Sequence, residues 1–214
     1  MVIWLILIAL VTLFFLSLRK KTVTMKTVNK DVASFRKELD IKAKTLTPWA
    51  QNELELLSLN LKEKKVAKGF HEVERGVLVN IYNEPVLAFV RKRYKGKQPK
   101  TLLMARGFAY EMVYVLNEKG VSIYRNQVQI ANLLPDGRLV NTAGNKLLGQ
   151  IEYSDHLELP LLLEGKLVAG MRKTRDDKSM FPRALNLYES ISEQDQQLLL
   201  AMSLVHVIDL AEKK

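Results

Sequence analysis

The sequence predicts a mainly β chain: an antiparallel sandwich or barrel that buries one C-terminal helix, set behind an apolar N-terminal segment. Three observations carry this. From Gly76 onward, short apolar or alternating runs recur at strand-like spacing, with turn signals between them and no helical pattern interposed. Between Leu198 and Leu210 only Ser203, His206 and Asp209 are polar, and a helix apolar on nearly every side must be enclosed or span a bilayer. Residues 2–18 hold no charged side chain, although the 214-residue chain carries 33 basic and 23 acidic residues, a net charge of +10.

The composition narrows the classes. Hydrophobic residues at 48% and charged residues at 26% exclude a disordered or collagen-like chain. The lack of cysteine removes disulfides, thiolate metal sites and cysteine nucleophiles together.

Residues 2–18 read VIWLILIALVTLFFLSL, in which only Thr12 and Ser17 are polar. As a helix they span roughly 26 Å, the short end of the transmembrane range. No basic residue precedes the run, and Phe15-Leu16-Ser17-Leu18-Arg19 is a poor cleavage site, so a retained anchor is expected over a signal peptide. Arg19, Lys20 and Lys21 follow at once, which by the positive-inside rule directs the remaining chain to the cytoplasm. The same cluster would sit against an anionic leaflet, although a topology signal alone is favoured over specific lipid recognition. The expected divisions are residues 1–21 as transmembrane anchor and basic flank, 22–68 as a helical stalk, and 69–214 as the β domain with its buried helix.

In the stalk, Val28, Val32, Phe35 and Leu39 recur at spacings of 4, 3 and 4, one apolar stripe on a helix. Thr47-Pro48 reads as the start of a second helix, running through NELELLSLNLKEKK to Gly69 with Leu54, Leu57 and Leu61 on its buried face. So short a repeat does not make a coiled coil; packing of both helices on their own body is favoured over self-association. From Arg19 to Lys68, 13 basic residues face 6 acidic ones, so most of the excess charge sits beside the expected membrane.

Eleven strands are expected in the body. GVLVNIYN and PVLAFVRKRY flank a turn at Asn83-Glu84-Pro85. Then come TLLMARG, AYEMVYVLN, GVSIYR and QVQIA, and after the turn Leu134-Pro135-Asp136-Gly137, RLVN, KLLGQIEY, LELPLLL, KLVAGMRK and ALNLYES. Ser192 and Asp195 form a helix start. The apolar stretch that follows is only about 20 Å long, and Asp209 would cost about 2.5–3.5 kcal/mol at a bilayer centre. Enclosure by strands is therefore expected. Ser203, His206 and Asp209 share one edge of this helix, facing an opening or pairing internally.

The early GVLVNIYNEPVLAFVRK, the glycine-bearing strands NKLLGQIEY and EGKLVAGMRK, and the closing QLLLAMSLVHVIDL together resemble the tubby-like β-barrel superfamily, most closely its scramblase and LURP-one-related branch, over roughly residues 72–212. The resemblance implies an antiparallel closed barrel of twelve strands around a hydrophobic C-terminal helix. It also implies phosphoinositide or other lipid binding.

Chemistry-bearing motifs are sparse. His71, His156 and His206 are far apart, without a nucleophile elbow or metal-ligand spacing, so no enzyme activity, metal or cofactor is expected. Arg91, Lys92, Arg93, Lys95, Lys97 and Lys100 give six basic residues and no acid across ten positions, at a strand end and hairpin loop. Such a cluster suits an anionic lipid headgroup or, alternatively, a solvated strand edge protected against pairing. Nucleic acid is the weaker partner, for want of aromatic platforms. The expected function is that of a single-pass, membrane-anchored, non-enzymatic protein whose cytoplasmic domain binds anionic phospholipid or a protein partner. The rivals are a scaffold that recruits proteins, or associates with itself, through its stalk, and a scramblase-type lipid translocator.

Overall fold

The computed structural model describes residues 4, 8, 23–48, 51–69, 71–96, 98–174 and 180–212. The expected anchor over residues 2–18, with the flank Arg19, Lys20 and Lys21, lies outside the described residues except for Trp4 and Ile8, both helical and exposed. Among the described residues, no helix is long and apolar enough to cross a membrane.

Helix α1, Met25–Ala43, follows the expected stripe. The Thr24 hydroxyl accepts a hydrogen bond from the Thr27 amide at 3.4 Å, capping its start. Val28, Phe35 and Leu39 are buried and Val32 is half-buried.

The second stalk helix does not form. Gln51–Leu56 is a short 3-10 helix, and Leu57–Lys68 is a strand, β1. Leu57, Leu59 and Leu61 alternate with Ser58, Asn60 and Lys62, the period of a strand, and Ser58 is itself buried where β1 meets Arg183. Reading Leu54, Leu57 and Leu61 at helical spacing left Leu59 on the polar side; as a strand residue it is fully buried. The barrel therefore begins at Leu57, twelve residues before the expected boundary at 69, and β1 is its twelfth strand.

The remaining strands match the expected runs: β2 Glu72–Asn80, β3 Pro85–Tyr94, β4 Lys100–Arg106, β5 Glu111–Asn117, β6 Gly120–Arg125, β7 Val128–Leu133, β8 Arg138–Val140, β9 Leu147–Ile151, β10 Glu158–Leu163, β11 Lys166–Arg172 and β12 Leu185–Leu187. They form one antiparallel sheet whose spatial order is their chain order. The ends nearly close. Ser58 of β1 bridges Arg183, just before β12, while the Leu59 amide donates to the Pro182 carbonyl at 2.9 Å and the Ala184 amide to the Leu57 carbonyl at 2.7 Å.

Helix α2, Glu193–Glu212, fills the barrel. The Ser192 hydroxyl accepts from the Asp195 amide at 3.1 Å and donates to its carboxylate at 2.7 Å, the expected cap. Leu199, Ala201, Met202, Leu204, Val207 and Ile208 are fully buried against inward strand residues such as Phe89, Leu103 and Tyr114. Glycine at 149 admits the close approach of β10: a Cβ there would lie 2.8 Å from the Leu162 carbonyl and 2.9 Å from Leu163 Cδ2. The pleat carries a second core outside. Val90, Leu102, Met104, Val113 and Val115 point away from α2 and pack under Val28, Phe35 and Leu39 of α1.

In a meander, alternate turns gather at opposite ends. The β1–β2, β3–β4, β5–β6, β7–β8, β9–β10 and β11–β12 connections share one rim with the last turn of α2. Helix α1 runs antiparallel to β3, with Asp31 beside Lys92 and Asp40 beside Arg106 at the other end of β4. Its N-terminus therefore lies at that same rim, where Lys100 Nζ donates to the Val23 carbonyl at 3.0 Å.

Candidate functional site

The six basic residues of 91–100 do not form one patch. Arg91, Lys92 and Arg93 occupy β3, whose successive side chains face opposite sides. Arg91 turns inward and is buried, donating to Glu74 at 2.6 Å and pairing with Asp209 and Glu212 of α2. Arg93 pairs with Glu74 at 2.9 Å and Glu72 at 3.6 Å. Lys92 turns outward to Asp31 of α1 at 2.8 Å. Beyond the strand, Lys95 is exposed, Lys100 holds the Val23 carbonyl, and Lys97 lies outside the described residues. The alternation that sets the strand divides the cluster: Arg91 is withdrawn into the interior, while Arg93, Lys95 and Lys100 keep part or all of their surface.

Around that loop the rim is basic. A cleft of about 220 Å³ opens between the β3–β4 and β5–β6 tips, lined by Gln98, Pro99, Lys100, Asn117, Glu118 and Lys119. His71, in the β1–β2 turn, packs edge-on against Tyr94 at 5.3 Å, and its Nδ1 accepts from the Lys95 amide at 3.4 Å. Burial, with Lys92 nearby, holds its imidazole below the usual pKa, so it adds little charge at neutral pH.

Five ion pairs fasten α1 to the barrel along its length: Asp31–Lys92 at 2.8 Å, Arg36–Glu111 at 2.7 Å, Glu38–Arg75 at 2.6 Å, Asp40–Arg106 at 3.3 Å and Lys42–Glu63 at 2.8 Å. The Arg36 pair is bidentate onto a carboxylate that is almost fully buried. Tyr94 adds a hydrogen bond to Asp31 at 2.6 Å, and burial followed by that carboxylate pushes its phenol far above the usual range. Sequence reasoning missed these partners because each lies 21 to 75 positions from its mate.

The polar edge of α2 divides as well. Ser203 is buried and donates to the Leu199 carbonyl at 2.7 Å, one turn back. His206 and Asp209 instead face an opening, a cleft of about 370 Å³ at the same rim between α2, the β9–β10 connection and the end of β11. Tyr153 covers His206 with ring centroids 5.9 Å apart and tilted by 31°. Arg172 and Lys173 also line the cleft, with Lys173 Nζ donating to the Ser154 carbonyl at 2.8 Å and lying 3.7 Å from Asp155. No group of three or more metal-ligating side chains occurs among the described residues. Comparison of the chain with protein-family models, with curated proteins and with solved structures finds no match.

Proposed function

We propose that the chain is a membrane-tethered, non-enzymatic binding module, with the basic rim around the β3–β4 loop held against an anionic lipid surface. One observation carries this: Lys100 Nζ bonds the Val23 carbonyl at 3.0 Å, so the apolar segment 2–18 and the flank Arg19, Lys20 and Lys21 precede the body at the rim that presents Lys95, Lys100 and Lys119. Each basic residue near an anionic leaflet contributes about 1 kcal/mol, and the tether supplies a high effective concentration. The fold is tubby-like in this reading, supported by a twelve-stranded meander around a terminal helix. The body lies in the cytoplasm, supported by the basic flank. A stalk scaffold has less support, because α1 already commits its apolar stripe to the barrel.

The test places the full chain in nanodiscs and uses the absence of native cysteine. A fluorophore on Gln98→Cys, at the rim, should be quenched by nitroxide-headgroup lipid, and one on Leu147→Cys, at the far end of the barrel, should not. Quenching at Gln98 should weaken when anionic lipid is omitted or when Lys95→Glu and Lys97→Glu are combined. Equal quenching at both positions, or indifference to lipid charge, would sink the reading.

A further inference from the structure

The larger cleft, beside the last turns of α2, is chemically unlike the basic loop. Its lining carries two cations, Arg172 and Lys173, and two carboxylates, Asp155 and Asp209. A balanced lining does not favour a polyanion. Leu159 and Leu210 add apolar surface, and the tilted ring pair Tyr153 and His206 adds an aromatic wall. The negative side is reinforced from within: Arg91 and Arg93 face four carboxylates, Glu72, Glu74, Asp209 and Glu212. Lys64 adds one ammonium at the Glu212 carbonyl, which still leaves the group one positive charge short. Of these carboxylates, Asp209 is the one whose side chain is half-exposed and lines the cleft.

We propose that this cleft binds a zwitterionic phosphodiester of the glycerophosphocholine type, either as a soluble molecule or as the headgroup of a lipid. Arg172 and Lys173 take the phosphate through charge-assisted hydrogen bonds. Asp155 and Asp209 draw the ammonium, and the faces of Tyr153 and His206 cover its methyl groups as a cation–π wall. A volume of about 370 Å³ lies within the range of small-ligand sites. The site goes beyond the tethering of the basic loop and does not depend on it, since it is tested without a bilayer.

The experiment is calorimetric titration of the full chain in maltoside detergent with glycerophosphocholine, dihexanoyl phosphatidylcholine and dihexanoyl phosphatidylglycerol. Binding of at least one choline probe, about tenfold tighter than the glycerol lipid, is the expected result. Arg172→Gln and Tyr153→Ala should each weaken choline-probe binding about tenfold, and Lys95→Glu should leave it unchanged. Tyr153 is half-exposed, so its truncation reports on the site even if Arg172→Gln impairs folding. Equal affinity of the soluble probe and the choline lipid assigns the soluble form, and tighter binding of the lipid assigns the headgroup; both support the proposal. Silence of both choline probes, equal binding of the glycerol lipid, or indifference to Tyr153→Ala overturns it.

Discussion

Arg91 joins the barrel wall to the helix inside it, and its three carboxylate partners come from β2 and the last two turns of α2. Removing a buried ion-pair partner leaves charge without compensation and costs about 3–5 kcal/mol. Arg91→Met should therefore lower the urea midpoint by that equivalent, and Arg91→Lys should recover only part, because an ammonium cannot fork across several acids. Acid should act through the same residues. Burial works to raise the Glu74 pKa, but hydrogen bonds and charge from Arg91 and Arg93 outweigh it and hold the group below its ordinary value of 4.5. A depressed folded pKa stabilises the fold above that ordinary value, and the contribution disappears as pH falls through the folded one. Urea midpoints measured downward from about pH 5 should thus decline in the native chain and decline less in Glu74→Gln. At this scale the sequence was half legible. The basic run was visible as composition, but its division between inside and outside follows from the strand period of the same residues. The acids that claim Arg91 sit 17 to 121 positions away.

Helix α1 is a bracket rather than a loose stalk. Its apolar stripe covers the outer face of β3–β5 and its ion pairs run from Asp31 to Lys42. Phe35→Ala should cost about 3–5 kcal/mol. Amide exchange along α1 should be as slow as in β3 and β4 in the native chain and should accelerate selectively in the variant. Fast exchange of α1 in the native chain would show that the bracket is not held. The stripe was readable because four apolar residues repeat at helical spacing, and α2 was readable because its cap and its all-round hydrophobicity have no other use. β1 was not. Its outer half, with Lys62, Glu63, Lys64 and Lys65, favours helix locally, and only pairing with β2 and closure against residues 182–184 make it a strand. Tertiary contact outweighed local propensity there, as it commonly does in sheets.

The whole molecule has two unlike cores, one inside the sheet around α2 and one outside beneath α1. The inner core cannot exist without its helix, since inward Leu103, Tyr114, Ile123 and Leu161, all essentially inaccessible, share one cluster with α2. Ending the chain after Glu189 should abolish cooperative thermal unfolding rather than lower its midpoint; a retained sharp transition would show that the barrel closes unaided. The alternating architecture was legible from eleven strand-like runs, whereas the nearness of the rim clefts to the start of α1 was not, because it depends on which turns a meander gathers at one end. That order has a consequence during synthesis. Each strand emerges beside its immediate predecessor, so neighbours can pair as the ribosome proceeds, but the side chains that will line the interior wait for α2, which follows all twelve strands. If residues 2–18 engage a membrane first, the nascent sheet is moored while its greasy inner face is still bare, and α2 arrives as the stopper that ends its exposure to chaperones.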